Sequence, residues 1–487
     1  GHLVYMVRGP FYYGRRSDIQ PSVHFFDLKE REDKTAVENV RGYALSRDGK
    51  KMLVRERNAF KLYDAKPKPG DAKTVSTAGL QVDRIPAQEW AEIFDEVWRR
   101  YRDFFYVANM HGYDWDAIGK RYRKLLPYVA HRSDLNYVLG EMVAELSTSH
   151  SYISGGDYDI PKRAPVALPG ARFELDRKAG RYKIAKVLRG QNDEDTYRAP
   201  LSEIGVDIKE GDYVLAIDGK PLTAGDNPYH MLRNKADRPV RFTVNSKPEE
   251  KGAREVTFDP VTSERSLRYL DWVAHNREYV DKATDGRVGY IHIPDCGAEG
   301  LREFIKYFYG QIRKEGLVID ARGNGGGNTS QMFIERLRRE LLSVDYSRNN
   351  DYPSTYPATV FHGYMVCLLN ETSASDGDIF PAMFRKAGLG PLIGKRSWGG
   401  VVGISGHGPL IDGGSVYVPE YGFVNTEGHW DIENYGVAPD IEVDNDPKSV
   451  IEGRDPQLER GVAEVLKRIE ANPKPLPARP EDPVKTP

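Results

Sequence analysis

Cysteine is scarce, with two in 487 residues. Two thiols cannot staple a chain of this size, so no disulfide framework is indicated. Cys367 lies inside an apolar run and reads as a buried thiol, while Cys296, in the turn Pro294-Asp295-Cys296-Gly297, leaves its burial open. A surplus of either charge is also missing. Lys+Arg 70 stand against Asp+Glu 72, a formal charge of -2, so no basic excess points to nucleic acid and no polybasic block to a membrane. No apolar run is long enough to span a bilayer. There is no Cys/His spacing for a metal, no H-E-x-x-H helix and no G-x-S-x-G elbow, and nothing points to a cofactor. The start, Gly-His-Leu-Val-Tyr, is not a signal peptide and has no initiator Met. It reads as a cut or tagged fragment of a longer chain, and the lack of a secretion signal sets an expectation of a cytoplasmic protein.

What is present is turn-rich and long. Gly 47 and Pro 31 imply many turns, and the length suggests roughly three domains. The chain is organised around Gly363 to Trp398. An apolar run, Tyr364 to Leu369, ends at Asn370; the small polar turn Ser373-Ala374-Ser375-Asp376-Gly377 follows; then Ile379, Phe380, Met383 and Phe384 recur at helical spacing. The pattern is strand, tight turn, helix. A serine at the mouth of a helix sits beside unpaired backbone N–H groups, which is where an acyl-transfer nucleophile needs its oxyanion donors. The plainer alternative is that Ser375 only caps the helix.

Residues 1–80 hold short alternating runs, among them Leu3 to Val7, Val23 to Asp27, Lys51 to Arg55 and Phe60 to Asp64, with turn signals such as Asp48-Gly49 between them. This order is similar to one and a half blades of a β-propeller, with raw edges. Residues 65–85 read as a linker. Within 86–165 three helices are expected: one from Ala87 with Trp90, Ile93, Phe94, Val97 and Tyr101 on one stripe, one near Trp115 to Tyr128, and one capped by Ser133. The third runs out at Ser147-Thr148-Ser149-His150. Residues 166–262 contain Val206 to Leu222, which resembles the most recognisable stretch of a PDZ domain, a fold that holds an extended peptide as an added strand. A PDZ fold serving only as a spacer is the alternative. From 263 to 450 strands and helices alternate as in an α/β domain. One polar helix, Pro456 to Glu470, and a Pro-rich end expected to be mobile make up 451–487.

The glycine run 323–327 follows the buried strand Leu317 to Asp320 and opens a helix expected to reach Leu342. It is not a dinucleotide fingerprint, because Asn328 stands where glycine is needed, and Gly394-Lys395 is not a phosphate loop. An anion hole and a tight structural turn both remain open. His150 alone would more often be a surface or core residue, and Glu433 alone a solvated acid.

Taken together, these pieces resemble the tricorn branch of the tail-specific serine peptidases. The resemblance implies a multidomain protein: a remnant of β-propeller blades, a small helical domain, a PDZ-like β domain and an α/β catalytic domain of crotonase/ClpP type. It implies Ser375 as nucleophile, His150 as general base, and Ser149 with Glu433 as the pair orienting the base. It implies an oxyanion hole from the backbone of Asp376 and of Gly326 or Gly327, and a substrate-binding acid for which Asp345 is the nearest candidate. It also implies peptide substrates and a homohexamer. In the tail-specific branch a lysine after Thr-Phe-Gly serves as base. The matching stretch in this chain is Ser397-Trp398-Gly399-Gly400, so a Ser-Lys dyad is rejected, and Lys395 is out of place. Two rivals belong to other classes: a non-catalytic binder on the same fold, and a scaffold whose PDZ domain does the work.

Overall fold

The computed structural model describes residues 1–12, 15–350 and 352–486; Pro487, the end of the expected tail, lies outside them. Two small antiparallel sheets come first. His2–Val7, Ser22–Asp27 and Asp33–Glu38 form one; Val40–Leu45, Lys51–Glu56, Ala59–Asp64 and Lys73–Val75 form the other. The stretch expected to be a linker therefore supplies an edge strand, because Lys73–Val75 pairs with Phe60–Leu62.

Three helices follow, Pro86–Phe104, Trp115–Arg123 and Arg132–Ala144. Ser133 is not the cap of the third. His131 is: its ring accepts the Ser133 N–H, while Asp134 reaches back to the His131 N–H at 2.8 Å. The stripe Ile93, Phe94, Val97 packs on Leu135, Leu139 and Met142, and this core is completed from far along the chain by Leu410, Val416 and Val418. Buried Arg132 pairs with buried Asp412 at the same seam. The strand Tyr152–Ser154 then joins Ser415–Tyr421 antiparallel, with Tyr152 opposite Tyr417. That pairing starts two residues after His150 and fixes where the histidine goes.

Next comes an antiparallel sheet in the order Ala171–Asp176, Arg181–Val187, Tyr213–Ile217, Val240–Asn245, Arg254–Phe258, folded over Ile184, Val214, Phe242 and Phe258. The last unit is a parallel sheet in the order Val288–His292, Gly316–Asp320, Tyr364–Leu369, Leu392–Gly394, Ile441–Glu442. Its first two strands are buried at every residue, as expected when helices cover both faces. Phe304, Phe308, Phe333, Phe380 and Phe384 pack on one face. Helices Arg265–Ala283 and Pro456–Ala471 contribute Val273, Val280, Leu458, Val462 and Val465 to the other, so the tail helix is a core element. The helix after the glycine run stops at Leu337; residues 338–342 are irregular and lead into a hairpin of Ser343–Asp345 with Ser354–Tyr356.

Candidate active site

Strand Tyr364–Leu369 delivers Ser375 to the start of helix Asp376–Lys386. The serine occupies the N-cap position, yet its side chain makes no capping bond. Its backbone has φ 59 and ψ -123, a conformation that a non-glycine residue keeps only when its surroundings over-determine it. They do so in this turn. Ser373 Oγ donates to Ala321 O at 2.9 Å, Ala374 N–H to Asn324 O at 2.9 Å, and Gly377 N–H to Ala374 O at 2.8 Å. The free hydroxyl is thus held at a strained, partly exposed corner.

The glycine loop lies against this corner. A Cβ on Gly326 would stand 2.5 Å from Ser375 Cβ, so only glycine allows the approach. The Gly326 N–H, however, donates to buried Asn324 Oδ1 at 2.9 Å. Of the two glycines expected at an oxyanion hole, it is therefore Gly327, with Asp376 at the first helical position, whose N–H has no bond among the described residues. The carboxylate of Asp376 points away, accepting the Ser330 N–H at 2.9 Å and the Ser330 hydroxyl, and burial pushes its pKa up. It ties the loop to the nucleophile's helix.

His150 is half-buried, with its ring edge-on to Trp398 at 5.5 Å. Its Nδ1 lies 2.9 Å from Val402 O and 3.3 Å from Ser149 Oγ. A carbonyl only accepts, so the proton belongs on Nδ1 and the lone pair on Nε2. Burial lowers the His150 pKa; the Val402 carbonyl and the charges of Glu433 and Asp378 oppose this without reversing it. Glu433 accepts from Ser149 N–H at 2.8 Å, Ser149 Oγ at 3.1 Å, Val401 N–H at 2.7 Å and Val402 N–H at 3.1 Å. One carboxylate therefore holds both the residue before the histidine and the loop segment that orients it.

Ser375 and His150 are held to the same segment, Ser397 to Val402. Trp398 N–H donates to Ser373 O at 2.9 Å, and buried Asp378 accepts the N–H groups of Gly399 at 2.8 Å and Gly400 at 3.4 Å. Among the described residues Ser375 Oγ and the His150 ring share no hydrogen bond, a contact that in free enzymes often tightens only with substrate bound. Ser375 opens onto a cavity of about 760 Å³ with an apolar floor of Ile334, Ile379, Met383 and Phe423, and with Arg338 and Lys386 in its wall. Asp345 does not line it. That residue sits on the hairpin, opposite Ser354. A larger cavity, about 1820 Å³, lies between the two N-terminal sheets, remote from this chemistry.

Models of known families match the chain in sequence: the Tricorn protease C1 domain over 86–144, the Tricorn protease PDZ domain over 168–263, and Peptidase family S41 over 287–443. Tricorn protease homolog 1 of Streptomyces coelicolor is 34% identical over 469 residues, which covers 94% of this chain and 43% of that protein. The tricorn protease of Thermoplasma acidophilum is 35% identical over 456 residues, covering 93% and 42%. A crystal structure of the tricorn protease matches with TM-score 0.82 and 33% identity, over 93% of this chain and 44% of that one. The chain belongs to the tricorn family of S41 peptidases. It spans less than half the length of these tricorn relatives.

Within this tricorn fold, sequence reasoning missed the groups that hold the pieces in place. Val402 O carries no motif, Asn324 is the one non-glycine residue of the run 323–327, and Asp378 lies just past the turn that drew notice. Among the described residues no helix is long and apolar enough to cross a membrane, and no cluster of three or more His, Cys, Asp or Glu side chains could hold a metal ion.

Proposed function

We propose that this chain is a serine endopeptidase that hydrolyses oligopeptides through an acyl-enzyme. Ser375 Oγ attacks the scissile carbonyl while His150 Nε2 takes its proton. The oxyanion that forms is met by the N–H groups of Gly327 and Asp376. As the carbonyl re-forms, the C–N bond breaks and His150 returns the proton to the leaving amine. A water, deprotonated by the same nitrogen, then releases the acyl group and restores the serine. Ser149 and Glu433 orient the imidazole and stabilise its charged form. The apolar floor beside Ser375 suits an uncharged side chain next to the scissile bond.

The observation that carries this reading is the commitment of His150 Nδ1–H to Val402 O. It leaves Nε2 basic on a ring held to the same segment as a strained serine with a free hydroxyl. The two N-terminal sheets are read as the last blades of a propeller. A homohexamer belongs to the same proposal and rests on family resemblance; light scattering tests the assembly. The decisive experiment is digestion of a mixed peptide library by the parent and by Ser375→Ala. Cleavage is expected to disappear, and hydrolysis persisting at the parental rate overturns the assignment.

A further inference from the structure

PDZ domains take an extended peptide as an extra strand on an exposed edge and capture its terminal carboxylate with backbone N–H groups at the head of that edge. In this chain the edge is Ala171–Asp176, which pairs on one side only, with Arg181–Val187. The short helix Pro228–Met231 lies along its other side, where Tyr229 meets Phe173 edge-on at 5.6 Å. At the head of the strand the N–H groups of Gly170 and Ala171 both point at a carboxylate, and it belongs to the chain itself. Glu264 Oε1 accepts them at 3.0 and 3.2 Å. Its other oxygen accepts from Arg268 at 2.7 Å.

Glu264 is 5% exposed and stands at the N-terminal end of helix Arg265–Ala283, which packs on the parallel sheet. Leu267, one turn on, joins Leu188 and Ala199 in a small buried cluster against the same corner. The rest of this module is bolted to the peptidase unit. Buried Tyr197 donates to Glu303 at 3.0 Å, Lys306 pairs with Glu194 at 2.8 Å, and Lys186 with Asp271 at 2.6 Å. A buried carboxylate without such N–H partners would be costly, so Glu264 and the strand head stabilise each other.

We propose that Glu264 fills the carboxylate site of the PDZ domain from within the chain, so that the domain captures no peptide C-terminus while this side chain is in place. A tethered competitor acts at an effective concentration on the order of mM. It weakens a peptide acid by about the ratio of that concentration to the dissociation constant an untethered Glu264 carboxylate would have, so a constant of about 0.1 mM gives a loss of roughly tenfold. The inference is independent of the role given to Ser375.

The test uses the full chain with Ser375→Ala, which stops turnover. Its probes are a fluorescein-labelled octapeptide pool with free C-terminal carboxylates and the same pool amidated. The parent is expected to bind both pools alike. Glu264→Ala, and Glu264→Ser, which puts a favoured capping residue at the helix start, are expected to prefer the acid pool at least tenfold. A tenfold acid preference in the parent, or folded variants without one, overturns the proposal. Hydrogen exchange at the Gly170 and Ala171 amides of the Ser375→Ala chain, with Glu264 intact, needs no Glu264 variant to fold. Protection that does not change on adding the acid pool supports the internal plug, and a change specific to the acid pool refutes it.

Discussion

Removing the Ser149 hydroxyl separates two ways of holding His150, the proposed base. Ser149 Oγ donates to Glu433 at 3.1 Å and lies 3.3 Å from His150 Nδ1. If that relay fixes the tautomer, Ser149→Ala releases the ring, and a wrong tautomer costs about 10⁴ in turnover. The distances favour another outcome. Val402 O sits closer to Nδ1, at 2.9 Å, and the substitution leaves it in place; Glu433 also keeps the Ser149 backbone N–H at 2.8 Å. What is lost is two long hydrogen bonds, each worth on the order of 0.5–1 kcal/mol net. Their sum, about 1–2 kcal/mol, corresponds to a fall in kcat/KM of roughly 5- to 30-fold. The assay is steady-state hydrolysis of one fluorogenic peptide from pH 5 to 9, with kcat and KM resolved. A loss of 10³ or more at every pH would mean that the serine, and not the carbonyl, holds the imidazole, and would refute the reasoning.

Three further outcomes are expected. Burial lowers the His150 pKa and Nε2 must be unprotonated to act, so kcat/KM should fall as pH drops through an acid limb lying below 6.5; a limb above 6.5 contradicts this. In Gly327→Ala the new Cβ would stand 1.9 Å from Cys296 O, displacing one oxyanion donor. A loss of about 10²–10³ in kcat is expected, and unchanged kcat would remove Gly327 from the hole. Arg132→Met strips buried Asp412 of its partner at the seam that brings His150 to the catalytic unit. Urea unfolding should show a loss of about 3–5 kcal/mol. Turnover should fall with it, and a stable, fully active variant would show that the seam does not position the base.

Side-chain periodicity made much of the architecture legible. The run Tyr364 to Leu369, the small turn and the apolar spacing after Ser375 could form little else than strand, corner and helix. Legibility failed where a tertiary partner decides. A ring nitrogen of His131 outcompetes Ser133 for the cap. Lys73–Val75 becomes a strand because an edge is waiting for it. The hairpin of Ser343–Asp345 with Ser354–Tyr356 follows a helix that ends five residues before the expected Leu342. Nor does any side chain advertise Val402 O, since a backbone acceptor leaves no mark in composition or spacing.

The strain in the backbone follows the same division. Ser375 at φ 59, His150 at φ 58, and the flanks of Glu433, Ile432 at φ 69 and Asn434 at φ 61, all adopt conformations that L-residues avoid. Such residues cost on the order of 1–3 kcal/mol each, so they persist only under strong constraint. Ser397 to Val402 supplies part of that constraint to all three regions. Its backbone gives N–H groups to Ser373 O, Asp378 and Glu433, and carbonyls to His150 and, from Gly399 at 2.7 Å, to the Asn434 N–H. A lysine at position 400 would bring its own base to this segment. Glycine there leaves the segment as a clamp, and the proposed base, His150, arrives from the helical module, two residues before the strand pairing of Tyr152 with Tyr417.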